Sequence, residues 1–236
     1  MEYIIKMIKK IINLLYRISG YTKKEISSRN NILRIFDDCY NYRDSIKNNY
    51  NIKIDNEIIT IPWYTYPAIE YLLSIDLSEM DVFEYGCGNS TEFWSKVARK
   101  VISVEDNEEW YNKLISKSIK NSQIKLIKEK DSYVSSVKDI DADICVIDGS
   151  YRLSCSKVIQ DREYIMVILD NSDWHTAARN TLDTYNCYVR IDFNGFGPKN
   201  SYTWTTSIYL NRNHVFRYKK IEPLGGLKKE IMNDVE

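Results

Sequence analysis

The segment Val82-Phe83-Glu84-Tyr85-Gly86-Cys87-Gly88-Asn89-Ser90-Thr91 constrains this chain more than any other. It reads as a short buried strand, a tight glycine turn and the start of a helix. Gly86 and Gly88 let the backbone turn sharply and approach a ligand with no Cβ in the way. Ser90 or Asn89 is suited to cap the helix, whose first N–H groups then face a carboxylate or phosphate. A lone G-x-G is a weak signal, so the rest of the chain must support it.

Support comes from the alternation that follows. Val82–Tyr85, Val101–Glu105, Ile124–Lys128, Asp143–Asp148 and Tyr164–Asp170 read as strands. Ser90–Lys100 and Asn107–Ile119, each with an apolar face, read as helices between them. The nearly unbroken apolar run Ile144-Cys145-Val146-Ile147 suits a parallel strand covered on both faces. Strands alternating with helices predict βαβ units. Cys187–Phe193 and Tyr202–Leu210 are joined by Asn194–Asn200 with no helix between them, so they are expected to pair antiparallel. The fold class is therefore α/β, a doubly wound, mostly parallel sheet with an antiparallel last strand.

Ahead of this unit, Ile58–Pro67 is aromatic-rich, and Pro67 suits the first turn of a helix. Residues from about Tyr21 to Asn56 read as polar and helical. In Met1–Ser19, Ile4, Ile5, Ile8, Ile11, Ile12, Leu15 and Ile18 recur at helical spacing among Lys6, Lys9, Lys10 and Arg17. That helix is amphipathic and too charged to span a bilayer. It suits packing on the domain itself, a partner subunit or a membrane surface. It lacks the small-residue cleavage site of a signal peptide. The expected organisation is an N-terminal helical appendage over 1–60, a cofactor-binding domain over 61–220 and a tail over 221–236.

The chain has 236 residues, 44% of them hydrophobic, enough for one sizeable core. Its 33 basic and 33 acidic side chains cancel. A neutral chain lacks the positive field of a duplex binder, so nucleic acid is not an expected partner. Cys39, Cys87, Cys145, Cys155 and Cys187 form no C-x-x-C pair, which argues for reduced thiols in a cytoplasmic protein.

In an open α/β sheet, ligands sit beyond the carboxyl ends of the strands. Here those ends carry Glu84 and the glycine turn, then Glu105, then Asp131 and Ser132, then Asp148-Gly149, then Asp170-Asn171. Glu105 is placed to accept bonds from both ribose hydroxyls. The dinucleotide fingerprint G-x-G-x-x-G would need a third glycine at Thr91. Glu84 just ahead of the turn suits an amino group better than a pyrophosphate.

The patterns E-x-G-x-G-x-S, V-x-x-V-E, D-I-C-V-I-D-G and V-I-L-D-N, over roughly Pro62 to Leu210, resemble class I S-adenosylmethionine-dependent methyltransferases of Rossmann-like fold. The F-G-P-K-N-S-Y-T-W-T-T-S segment resembles the tail of a bacterial subgroup acting on small molecules or saccharides. The resemblance implies that Glu84, Gly86, Gly88 and Ser90 cradle the methionine part of S-adenosylmethionine. It implies Glu105 at the ribose, Asp131 with Ser132 at the adenine, Asp148 beside the cofactor and Trp63 closing over it. The departure is Ser90 where a third glycine is common.

Methyl transfer requires alignment and, for a hydroxyl acceptor, removal of a proton. Asp148, Asp170 and His175 are the candidate bases. Asp148, Asp170 and Asn171 also resemble the Mg²⁺-binding oxygen set of catechol-type O-methyltransferases. Tyr151, Arg152 and Lys199 are candidate contacts to the acceptor. The expected activity is O-methylation of a small-molecule or saccharide hydroxyl by a homo-oligomeric protein. The rivals are an NAD-dependent oxidoreductase on a similar sheet and a non-catalytic assembly or membrane-docking protein.

Overall fold

A computed structural model of the chain describes residues 51–54, 57–198, 200 and 202–219. The readings of Met1–Ser19, of 21–50, of Cys39, of Lys199 and of 221–236 lie outside the described residues.

Strands β1 (Asn51–Ile54) and β2 (Glu57–Thr60) form an antiparallel hairpin. This corrects the helical reading of residues up to Asn56. Asn51-Ile52-Lys53-Ile54 alternates polar and apolar residues with the period of a strand, and Ile52 joins the main core. Helix α1 (Tyr66–Ser74) carries Pro67 in its first turn as expected and buries Ala68, Ile69, Leu72 and Leu73. Strand β3 (Asp81–Tyr85), helix α2 (Asn89–Val97), β4 (Lys100–Glu105), helix α3 (Glu108–Ile115) and β5 (Ser122–Leu126) follow. Next come helix α4 (Lys130–Ser135), β6 (Ile144–Ile147), helix α5 (Arg152–Val158), β7 (Met166–Leu169) and helix α6 (Thr176–Leu182). Strands β8 (Tyr188–Gly195) and β9 (Trp204–Asn211) end the described fold.

The seven strands β3–β9 form one sheet in the order β5-β4-β3-β6-β7-β9-β8. β3 pairs in parallel with both β4 and β6, and β6 with β7. β9 inserts antiparallel between β7 and β8. The order reverses between β3, which runs on to β4 and β5, and β6, which runs on to β7. That junction is the topological switch point, where strand ends leave a crevice.

Alternation along the strands divides the core in two. Val82, Val101, Ile144, Val146, Met166, Ile168 and Ile208 face one cluster, which α1 and α2 cover. Phe83, Tyr85, Val104, Cys145, Ile147, Val167 and Leu169 face the other, which holds Tyr133, Cys155, Ala178 and Leu182 of α4, α5 and α6. Both faces are dry, so the central strands read as unbroken apolar runs. Among the described residues no helix is long and apolar enough to cross a membrane.

Candidate active site

At the switch point the chain leaves β3 through Gly86, whose φ of 90° lies in the left-handed region. Gly86 N–H donates to Val104 O at 2.8 Å, which fixes the turn against β4. A Cβ on Gly86 would lie 2.9 Å from Gly149 Cα, so the turns after β3 and β6 touch backbone to backbone. Gly88 differs. A Cβ there would meet nothing nearer than the Trp110 ring, at 3.6 Å. The expected cap on Ser90 or Asn89 is not formed, because both lie inside α2. Instead the Gly88 N–H donates to the Thr91 hydroxyl at 3.0 Å.

These turns open onto a cavity of about 370 Å³, within the usual range for small-ligand sites. Of the expected site residues, Trp63, Gly86, Gly88, Ser90, Glu105, Asp148, Asp170 and Asn171 stand together on its wall. Glu84, Asp131, Ser132 and His175 do not.

Glu84 is fully buried beneath the turn. Its Oε2 accepts from Ser103 Oγ at 2.6 Å and Thr91 Oγ1 at 2.7 Å, while Oε1 is buried with no hydrogen bond. Burial pushes its pKa up to about 7, against the pull of the Ser103, Ser90 and Thr91 hydroxyls. Asp131 and Ser132 are exposed in the first turn of α4, where their N–H groups donate to the Glu129 carboxylate. Asp106, next to Glu105, is the acid on the cavity wall there. His175 is exposed just ahead of α6, off the wall.

Glu105 closes β4. Its Oε2 accepts from Cys87 N–H and its Oε1 from Asn107 N–H, both at 2.9 Å. Burial is the main influence on it and raises its pKa. Trp63 packs on Trp110 with ring centroids 5.9 Å apart. The Trp110 indole N–H in turn donates to Cys87 O. Two rings thus stand over the turn and Glu105.

The opposite wall is built by Asp148, Asp170 and Arg152. Tyr151 begins α5 from a left-handed backbone (φ 54°), which turns Arg152 back into the cavity. Its guanidinium donates to Gly149 O at 3.0 Å, Asp148 O at 2.8 Å, Asp148 Oδ1 at 3.0 Å and Asn171 Oδ1 at 3.1 Å. It also donates to Asp170 O. Asn171 is left-handed as well, with φ 49°. The cation between Asp148 and Asn171 is therefore this guanidinium. Those residues do not fit a Mg²⁺ ion, and among the described residues no group of three or more His, Cys, Asp or Glu is placed to hold a metal.

Asp170 is 3% exposed. Its Oδ1 accepts from Trp204 Nε1 at 3.1 Å and Thr206 Oγ1 at 2.5 Å. Burial, then the Asp148 charge, push its pKa up to about 8. Asp148 is also raised by burial, with Arg152 acting against the rise. Thr206 accepts from Thr65 N–H at 3.0 Å, which ties the segment carrying Trp63 and Tyr64 to the Asp170 wall.

The sequence reading missed Asp106, Trp110 and Trp174 as wall residues. It gave Arg152 to the acceptor, whereas the guanidinium is occupied by protein acceptors. The spacing of Trp110 within α3 marks a helix face, and such a face normally signals core rather than ligand.

No family model and no curated protein matches this chain. Solved structures similar to it include a methyltransferase-like protein from Silicibacter pomeroyi, 14% identical, covering 62% of this chain and 86% of that one at a TM-score of 0.44. A Streptococcus mutans protein solved in complex with SAH is 17% identical, with 64% and 99% of the chains covered and a TM-score of 0.43. The fibrillarin pre-rRNA processing protein of Methanococcus jannaschii is 11% identical, with 70% and 83% covered and a TM-score of 0.47. The seven-stranded, mostly parallel sheet with its antiparallel last strands is a Rossmann-like α/β fold.

Proposed function

We propose that this chain transfers the methyl group of S-adenosylmethionine to a hydroxyl of a small-molecule or saccharide acceptor. One observation carries the reading: the glycine turn, Glu105, Asp148 and Asp170, far apart in sequence, converge on one aromatic-walled cavity. Glu105, Asp106, Asp148 and Asp170 face it, and its guanidinium is already engaged. Such walls suit a donor that is positive at sulfur and at its ammonium. A nicotinamide dinucleotide would bring a pyrophosphate against the same carboxylates, and a nucleic acid many phosphates.

The residues present fit the cofactor. Gly88 leaves open space beside the turn, with Glu105 and Asp106 on the cavity wall next to it. Gly86, Gly88 and Ser90 would flank the methionine part, Glu105 the ribose, and Trp63 with Trp110 would exclude water. When bound, S-adenosylmethionine supplies a methyl carbon on an already positive sulfur, so the leaving group needs no proton. Asp170 would take the proton of the acceptor hydroxyl and keep that oxygen directed at the methyl carbon the cofactor would supply. Arg152 opposes the rise that burial imposes on Asp148 and donates to the Asp170 backbone carbonyl. Of the three candidate bases Asp170 is favoured, because His175 lies off the wall and Asp148 is engaged by Arg152.

The test is titration calorimetry of the folded protein with S-adenosylmethionine and S-adenosylhomocysteine. Micromolar binding of both is expected, and no binding of either would overturn the proposal.

A further inference from the structure

The mouth of the cavity carries two large rings in solvent. Trp174 and Tyr202 are 53% and 48% exposed, although both line the cavity that holds Asp170. Their centroids lie 5.8 Å apart with the planes tilted by 41°. Trp204, whose indole N–H holds Asp170, stands 6.1 Å from Tyr202. The mouth thus reaches from open solvent to the candidate base through a continuous row of rings.

Trp174 is held in place from behind. Its N–H donates to Asn171 O at 2.9 Å, and Ser172 N–H donates to Thr205 O at 2.9 Å. The Asp173 carboxylate accepts from Thr205 N–H at 2.9 Å. The turn after β7 is therefore tied to the start of β9. An exposed ring on a fixed turn beside a cavity is a preformed contact surface.

The polar groups at the mouth decide which ligand fits. Asn171 and Asn200 line it, and amides both donate and accept. Arg152 is the one cationic side chain on the described wall, and its donors are taken by Asp148, Gly149, Asp170 and Asn171. Among the described residues, an anionic acceptor would meet the carboxylates of Asp148 and Asp170 with no free cation on the wall to balance it. A neutral ring with an apolar face and hydroxyl edges meets both the aromatic surface and the amides.

We infer that Trp174 and Tyr202 form an acceptor subsite that stacks the apolar C–H face of a neutral sugar ring, with Asn171 and Asn200 reading its hydroxyls and one hydroxyl directed at Asp170. The inference rests on the methyl-transfer reading and adds to it the chemical class of the second ligand and the residues that select it. Nucleobases also stack on aromatic rings, but in a polynucleotide they bring phosphates with them.

The experiment is saturation-transfer-difference NMR on the full chain loaded with S-adenosylhomocysteine. The probes are the methyl glycosides of glucose, galactose, mannose and xylose, with adenosine, uridine and a short oligoribonucleotide alongside. Loading is measured on the same samples by calorimetry. At least one glycoside is expected to receive saturation at its ring C–H protons. Trp174→Ala and Tyr202→Ala should each weaken that glycoside by roughly tenfold, the scale of one lost ring contact. Trp174→Phe should retain most of it, and S-adenosylhomocysteine should bind all three variants as it binds the parent. If the loaded protein saturates no glycoside, or prefers a nucleoside or the oligonucleotide, the acceptor assignment fails while the methyl-transfer reading stands. If S-adenosylhomocysteine does not bind, both fail.

Discussion

Glu105 and Asp170 close strands on the two sides of the switch point, β4 and β7, and both face the same cavity. Backbone N–H groups of Cys87 and Asn107 take one oxygen each of Glu105. Asp170 takes both of its donors, from Trp204 and Thr206, on Oδ1, and burial followed by a second carboxylate raises its pKa. Glu105 is thus fixed as an acceptor of hydrogen bonds, the role a ribose needs. Asp170 is poised to gain and lose a proton near neutral pH, the role a base needs. In the proposed reading one functional group, the carboxylate, serves two purposes because its donors and neighbours differ.

The comparison breaks most visibly at Arg152. Arg152→Met removes the cation that the half-buried Asp148 carboxylate pairs with and that lies near the buried Asp170. The expected loss of stability is about 3–5 kcal/mol by urea denaturation at pH 8, shrinking at pH 5 where the carboxylates can hold protons. An unchanged denaturation midpoint would show that Arg152 does not compensate that wall.

Asp170→Asn sharpens the distinction between the two walls. It should lower kcat by about a hundredfold or more, the usual contribution of a general base, while calorimetric binding of S-adenosylhomocysteine stays within about twofold. In the parent protein kcat should rise with pH toward a plateau above about 8, and that limb should vanish in the variant. Stability moves the other way. The folded pKa of about 8 lies above the unfolded value of about 4, so between these the folded state holds a proton that the unfolded state has lost. Asp170 therefore contributes stability at pH 4 that is lost as pH rises to 8. A thermal-melt series should show the parent losing stability over this window more steeply than Asp170→Asn.

The smallest effects separate the two glycines. Gly86→Ala meets a positive φ and the Gly149 backbone, and should cost about 2–4 kcal/mol of stability. Gly88→Ala meets only the Trp110 ring. It should leave stability within about 1 kcal/mol and weaken cofactor binding by roughly tenfold, read by the same calorimetry.

Much of the Glu105 side was legible in the sequence. The strand readings Val82–Tyr85 and Val101–Glu105, the glycine turn after the first and the acid that ends the second specify parallel strands and their open end. Side-chain direction was less legible. Glu84 lies two residues before the turn in a strand buried on both faces, so it points into the core beneath α2 rather than along the ligand path. The Asp170 side depends on features that residue types do not announce. Tyr151 and Asn171 adopt left-handed backbone, and the first of these swings Arg152 inward. The pairing of β9 with β7 carries Thr206 and Trp204 to Asp170, a contact across more than thirty positions in the chain. The β1–β2 hairpin was hidden by its polar, asparagine-rich surroundings.

One hydroxyl carries a last consequence. The Thr206 oxygen receives the Thr65 amide and hands its only hydrogen to Asp170 Oδ1, and the indole of Trp204 can only donate. Oδ1 is therefore filled from two directions and has no room for a proton of its own. When Asp170 is neutral, its hydrogen resides on Oδ2, so the acid form is a single tautomer with a fixed orientation. In the proposed reaction an acceptor would have to present its hydroxyl to that one oxygen, and the geometry of deprotonation would then follow from the strand pairing.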